Sequence, residues 1–414
     1  ILVPPGVYSE NLFMYKNVKL QGYGAASTII NASHFPAQKM SAWRSKLASL
    51  VAAGKIGLLP GQDPNFTAEE GPGILVAPID GEFTAAAPAR IDGFTIMTAD
   101  LGGAIFASAY CSYLQITNNK LVNNLGNYGG GIRIGHPNIA NAAGDGLLSA
   151  QNDHIRIQYN HITENGSTNG PGGLAIFTGS DFYEVLDNAI CGNLTLRNGG
   201  AIGHFGLSSN GTIANNKIVF NEAFYGTSPA NGGGAGIAVA GAPAPIGAPA
   251  GTLTEGAGTV LINANLIQGN VAGSNNGGAI LSYLFNGQDV NNSPADANNW
   301  YELKIFNNII INNVTALAGA IALEDTVRAF IIGNTIANND SAASAAAAFT
   351  LGTLNNSTPQ AAGVVGMAHN GLRGLLGQDG FSEPVLHDNI IWHNRSFYWD
   401  FTLNGGNGGL APNP

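Results

Sequence analysis

Charged residues make up only 10% of this 414-residue chain, so the few that could do chemistry stand out. Asp153 and Asp181 are each followed three residues later by a charged partner, Arg156 and Glu184. Two carboxylates beside a guanidinium have two uses. Their oxygens could begin a calcium site, which takes roughly six to eight oxygen ligands. The arginine could serve as a base toward a sugar acid if it is placed for proton abstraction. Two aspartates and one arginine facing a glutamate fall short of either set. Asp153, Asp181 and Arg156 are therefore kept as candidates, and no catalytic residue or metal ligand is assigned. His387 and His393 lie six residues apart near Trp392, Tyr398 and Trp399, with no third ligand beside them. An aromatic cluster fits them better than a metal site. No Ser-His-Asp grouping or phosphate-binding loop is present, and no cofactor is expected beyond a calcium ion.

The elements that would position these residues come from a repeat. An apolar residue, two residues, Asn, one residue, an apolar residue, two residues and Asn recur eight times, starting at Ile116, Ile157, Val185, Ile213, Ile262, Ile305, Ile331 and Leu386. The first asparagines are Asn119, Asn160, Asn188, Asn216, Asn265, Asn308, Asn334 and Asn389; the closing ones are Asn124, Asn165, Asn193, Asn221, Asn270, Asn313, Asn339 and Asn394. A small-residue pair followed by an apolar strand alternates with this unit, as in GGLAIFTG from Gly172 and GGAIGHFG from Gly199. The shortest repeats run 26 to 28 residues, enough for about three short strands and three turns. Two apolar positions five apart break the alternation of one strand, so a bend must separate them. The first Asn is expected at that bend in the left-handed conformation, which asparagine tolerates. Coils stacked about 4.8 Å apart would then let the side-chain amides bond up the stack as a ladder. The fold class this implies is all-β: a right-handed parallel β-helix over residues 1–414, read as one solenoid domain.

Aligned by coil, Ser112, Asp153, Asp181 and Ser209 share a row, as do Gln115, Arg156, Glu184 and Thr212; Tyr113, His154 and Phe182 form a third, aromatic row. The pattern stops between Ile30 and Ile74, where residues 36–54 read as an amphipathic helix with Met40, Trp43, Leu47, Leu50 and Val51 on one face. Its expected role is to cover an end or flank of the solenoid. Insertions at 136–153, 242–258 and 286–299 follow the Gly-Gly strand and should project from one side; a fourth, 341–360, follows a closing Asn. Loops gathered on one face are where a solenoid carries a binding surface.

These motifs resemble the pectate-lyase-like (pectin lyase-like) right-handed β-helix superfamily. The opening ILVPPGVYSENLFMYKNVKLQGYGAASTII is similar to that superfamily's first coil, and the GGxI and apolar-x-x-N signatures resemble the repeats of polymorphic outer-membrane proteins and of large bacterial secreted proteins. The resemblance covers nearly the whole chain and implies fold far more than activity. Relatives use carboxylates for calcium and an arginine or lysine as base, or hydrolyse glycosides with paired carboxylates. The aspartate pair and Gly-His-Gly of polygalacturonases are missing here; Gly203-His204-Phe205 is a poor echo.

The expected function is therefore an extracellular or cell-surface, adhesin-like structural module of a larger protein or assembly, able to bind carbohydrate. The alternative is a lyase or hydrolase acting on acidic glycans. Packing against an electron-transfer or oxidase partner is a third reading. A net charge of −10 with no basic stripe excludes a nucleic-acid partner, and no apolar run reaches the length of a membrane span. A start at Ile1 fits a segment whose signal peptide is absent. Cys111 and Cys191 occupy different repeat positions and read as two buried thiols. The Asn-x-Ser/Thr sequons, among them Asn31, Asn65, Asn210 and Asn394, are expected in so asparagine-rich a chain.

Overall fold

The computed structural model describes residues 1–224, 232–350, 356–369 and 380–414. Within them the chain winds as a right-handed parallel β-helix whose strands align, coil upon coil, into four sheets of 11, 11, 9 and 10 strands. One coil shows the pattern. Glu184–Leu186 lies in the first sheet, Ala189–Cys191 in the second, Leu194–Thr195 in the third and Ile202–Phe205 in the fourth. The three strands expected per coil are thus joined by one of two residues, placed after the closing asparagine. Its inward column, Ser167, Thr195, Ala223, Ala272 and Thr315, is small and buried, which narrows the solenoid at that edge.

The core is a set of columns. Ile157, Val185, Ile213 and Ile262 stack in the first sheet, and Ile162, Ile190, Ile218 and Ile267 in the second, all fully buried. Burial of each stabilises the fold by roughly 1.5–3 kcal/mol. The asparagines close the corners between these columns. Asn160 Nδ2 donates to Asn188 Oδ1 at 3.0 Å, and Asn165 Nδ2 to Asn193 Oδ1 at 3.0 Å. The same link joins Asn119 to Asn160, Asn188 to Asn216, Asn216 to Asn265, Asn265 to Asn308, Asn308 to Asn334 and Asn334 to Asn389.

One expectation about these corners is corrected. The left-handed residue is not the ladder asparagine but the residue just before it: Tyr159 at φ 59°, Asp187 at 54°, Asn215 at 59°, Ala264 at 55° and Asn307 at 55°. That residue turns the chain with its side chain outward, and the asparagine that follows folds inside, 1–2% exposed at Asn160, Asn188, Asn216, Asn265 and Asn308. The asparagine is selected for its amide, which donates and accepts along the stack. The glycine pair has its own cause. Gly199 sits at φ 82°, and a Cβ on Gly200 would meet the Ala235 carbonyl oxygen of the next coil at 2.5 Å.

The helix runs Ala37–Ala52 and lies on the outer face of the fourth sheet at its N-terminal coils. Met40, Trp43, Leu47 and Leu50 pack there with Leu75 and Phe106, and Trp43 stacks on Phe13 at 5.3 Å. Helix and following segment therefore cover one flank and stop short of the middle coils. There the insertions at 136–153, 242–258 and 286–299 leave from the ends of the fourth-sheet strands Ile132–Ile134, Ile237–Ala240 and Ile280–Tyr283. Of the insertion at 341–360, residues 351–355 lie outside the described residues. At the C-terminal end Arg395–Asp400 pairs antiparallel with Gly409–Pro412. Cys111 is buried and Cys191 half-buried, and both are free thiols.

Candidate functional site

The fold brings Asp153 and Asp181 together on neighbouring coils and gives both carboxylates backbone partners. Asp153 Oδ1 accepts the Asp181 N–H at 2.9 Å, and Asp181 Oδ1 accepts the Ser209 N–H at 2.7 Å. Ser112 Oγ accepts the Asp153 N–H at 3.1 Å, so the row Ser112, Asp153, Asp181, Ser209 is a continuous ladder of side chain to backbone. Burial and the neighbouring Asp181 hold the Asp153 carboxyl above its ordinary range. Arg156 Nε donates to Glu184 Oε2 at 2.6 Å. Beside them Tyr113, His154 and Phe182 stack with centroids 4.8 Å apart and planes within 8°. A corner cavity of about 450 Å³ opens between this aromatic column and the row Gln115, Arg156, Glu184. Each of these contacts links one coil to the next. Among the described residues no three His, Cys, Asp or Glu side chains gather as a metal site.

Two other histidine expectations resolve differently. His204 faces the core, fully buried, in register with Ile176 and Val239. Its Nε2 lies 2.9 Å from the Gly206 and Ala257 carbonyls and its Nδ1 2.8 Å from the Tyr183 hydroxyl. Two carbonyls demand a donor, so Nε2 carries the proton and Nδ1 accepts from the phenol. Burial drives its pKa down to about 4. His387 and His393 are separate and exposed: Nδ1 of the first meets Asp388 at 2.8 Å, and Nδ1 of the second meets Asn338 Oδ1 at 2.7 Å.

A second groove crosses the outer face of the fourth sheet, and no reading of the sequence singled it out. Its floor is a row of rings, Tyr128, Phe177, Phe205 and Tyr283, with successive centroids 6.4, 6.3 and 6.4 Å apart. Phe177 and Phe205 are register partners in adjacent coils, and Tyr283 follows through Ala240. Gly203 is what lets Phe205 lie flat: a Cβ there would approach the ring to 2.6 Å and also strike Pro171. One bank is built by the insertions, through Asn138 and Pro243; the other by corner residues Asn169, Arg197 and Asn198. The cavity measures about 270 Å³.

The amide bank is pre-set by hydrogen bonds. Asn169 Oδ1 accepts from Arg197 Nη2 at 3.1 Å, and Asn198 Nδ2 donates to the Tyr283 hydroxyl at 3.1 Å. The Tyr283 phenol proton is thereby left to point elsewhere. Burial pushes that phenol up to about 12, so it stays neutral. At the N-terminal end Arg133, 1% exposed, forms an ion pair with Glu69 at 2.7 Å and lies 4.1 Å from the Phe106 ring centroid and 5.0 Å from that of Tyr128.

Next to Arg133, His136 Nε2 is 3.0 Å from Ser108 Oγ and its Nδ1 3.4 Å from Arg133 Nη2. This is not an activated serine. The guanidinium can only donate, so Nδ1 accepts and Nε2–H points at Ser108, leaving no base for the hydroxyl proton. Burial and the adjacent arginine also hold His136 well below its ordinary pKa.

At the other end Glu324 follows Leu323, the register partner of Ser282, and so continues the row of Phe205 and Tyr283. Burial, then the neighbouring Asp325, raises its carboxyl pKa. Asp325 is 1% exposed and 3.5 Å from His369 Nδ1. The sequence signal for this groove was an aromatic at the end of several Gly-Gly strands, visible only once those strands are aligned in register.

The fold and groove define a right-handed parallel β-helix with a loop-banked, ring-floored cleft. No family model matches the chain, and no curated protein is similar to it at a meaningful level. Among solved structures it is similar to two forms of a GH87 alpha-1,3-glucanase catalytic domain in complex with nigerose. One has 10% identity and a TM-score of 0.34, the other 11% and 0.26, each match covering 95% of this chain. The chain spans 61% of the length of each.

Proposed function

We propose that this protein is an extracellular or cell-surface β-helix module that holds a glycan in the fourth-sheet groove without cleaving it. The observation that supports this is the row Tyr128, Phe177, Phe205 and Tyr283 with Asn138, Asn169 and Arg197 beside it. Phe177 is 3% exposed and supports the row from below, while the half-buried rings of Tyr128, Phe205 and Tyr283 offer apolar faces to sugar C–H groups, and the amides both donate to and accept from hydroxyls. Among the described residues lining this cavity there is no carboxylate, whereas glycoside hydrolysis ordinarily requires two, flanking the scissile bond.

A second reading, hydrolysis, rests on one observation: Glu324 continues the ring row and holds its proton above the ordinary range, as a general acid must. The two readings separate in one experiment. Affinity electrophoresis in gels containing soluble polysaccharides, run with a reducing-sugar assay on the same panel, should show retardation and no sugar release. Asn169→Ala and Arg197→Ala, both exposed, should lose the retardation with unchanged folding. Sugar release that disappears in Glu324→Gln would replace binding with hydrolysis, and no retardation by any polysaccharide would remove the glycan reading.

A further inference from the structure

We infer that the fourth-sheet groove selects a neutral glycan chain over an acidic one; this rests on the glycan reading above and adds the substrate class. The argument is an inventory of charge. A uronic-acid polymer brings a carboxylate on each residue and must exchange its hydration for cations. Arg133 cannot supply one. It is 1% exposed, paired with Glu69 at 2.7 Å and roofed by the Phe106 and Tyr128 rings. Among the described residues lining the cavity that leaves Arg197 as the single cation, and its Nη2 already donates to Asn169 Oδ1 at 3.1 Å.

The negative groups lie at the ends of the same path. Glu69 is neutralised by Arg133, but the exposed Asp63 lines the cavity beyond Tyr128, and Glu324 follows Tyr283 in register. A polyanion threaded along the rings would meet carboxylates at both ends of the groove, in a chain of net charge −10. Like charges brought together in a partly desolvated cleft weaken binding and slow encounter.

The groups that remain suit hydroxyls. Asn138 and Asn169 are exposed; each Nδ2 already donates once, to the Tyr128 hydroxyl at 3.1 Å and to Asn127 Oδ1 at 2.5 Å, and keeps its second hydrogen, while each Oδ1 keeps a lone pair for a hydroxyl. Tyr283 accepts a hydrogen bond from Asn198 at 3.1 Å, which leaves its own proton to donate. Phe205 and Tyr128, half-buried, give ring surface without charge. The rings step from coil to coil, so the bound chain would run along the solenoid axis.

The test is isothermal titration of the intact chain with neutral gluco-, manno- and xylo-oligosaccharides and with oligogalacturonate, each at about 20 mM and about 200 mM salt. At least one neutral oligomer should bind with an affinity that changes less than roughly twofold between the two salts, and oligogalacturonate should not bind. Asn169→Ala should weaken the neutral ligand by roughly threefold to tenfold. Binding of oligogalacturonate that fades with salt and is lost in Arg197→Ala would overturn the neutral assignment while keeping the groove. Absence of binding by every probe would overturn the glycan reading itself.

Discussion

Asn188 gives both its hydrogens-bearing groups to one atom of the next coil: its backbone N–H and its Nδ2 donate to Asn216 Oδ1, at 2.9 and 3.0 Å. Its own Oδ1 receives the same pair of bonds from Asn160, and its Nδ2 also reaches the Ile157 carbonyl at 2.9 Å. Every polar atom of the side chain is used at 2% exposure. Asn188→Ala therefore strands several buried groups at once, each costing about 1–3 kcal/mol. Urea unfolding should show a loss of at least ~3 kcal/mol. Asn389→Ala, at a half-buried last rung, should cost clearly less; equal losses at the two positions would contradict the ladder account.

The buried histidines make stability fall in mild acid. His204 has a folded pKa of about 4 against 6.5 when exposed, and His136 is shifted the same way. The folded state thus binds fewer protons than the unfolded state between those values. Stability is complete above pH 6.5, declines as pH falls toward 4, and loses nothing more to His204 below that. Each histidine contributes a slope of roughly 1.4 kcal/mol per pH unit inside the window. Denaturation midpoints measured from pH 4 to 7 should show that decline, and His204→Gln should make it shallower by about one proton.

Arg133 and Glu69 form the buried ion pair that anchors the groove floor. Arg133→Met leaves the Glu69 carboxylate, 13% exposed, without its partner, at a cost of about 3–5 kcal/mol. Pairing that change with Glu69→Gln should recover a large part of the loss, which a thermodynamic cycle from urea titrations would measure. Full additivity of the two losses would mean that the pair is not coupled.

Legibility followed periodicity. The ladder asparagines and the apolar residues between them were readable because they recur at fixed spacing and their burial leaves one solution. The left-handed corner was misplaced by one residue, because Tyr159, Asp187, Ala264 and Gly333 share a backbone angle and no side-chain type. The third sheet was invisible: a strand such as Leu194–Thr195 is too short to alternate. Aligning coils put Asp153 beside Asp181 and Tyr113 beside His154, yet the carboxylates' backbone partners depend on corner geometry that spacing does not encode. The groove was hidden for a related reason. Phe205 and Tyr283 belong to coils separated by a third, and their rings come to 6.4 Å because the residue in register between them is the small Ala240.

The Asp153 carboxylate separates a structural rung from an ion site. Its folded pKa is raised by burial and by Asp181, so the charged form is what the fold tolerates poorly. The sign follows: the group's contribution is favourable below its unfolded pKa and is lost as pH rises through the higher folded value. Asp153→Asn keeps an oxygen to accept the Asp181 N–H and removes the charge. The variant should melt above the wild type at pH 7 and level with it near pH 3, where both side chains are neutral. Calcium binding would reverse the result. If Asp153 and Asp181 held an ion, added calcium would raise the wild-type melting temperature, and Asp153→Asn would abolish that gain. Melting curves with calcium and with chelator, at both pH values, decide between them; a rung that joins coils predicts that calcium shifts neither protein.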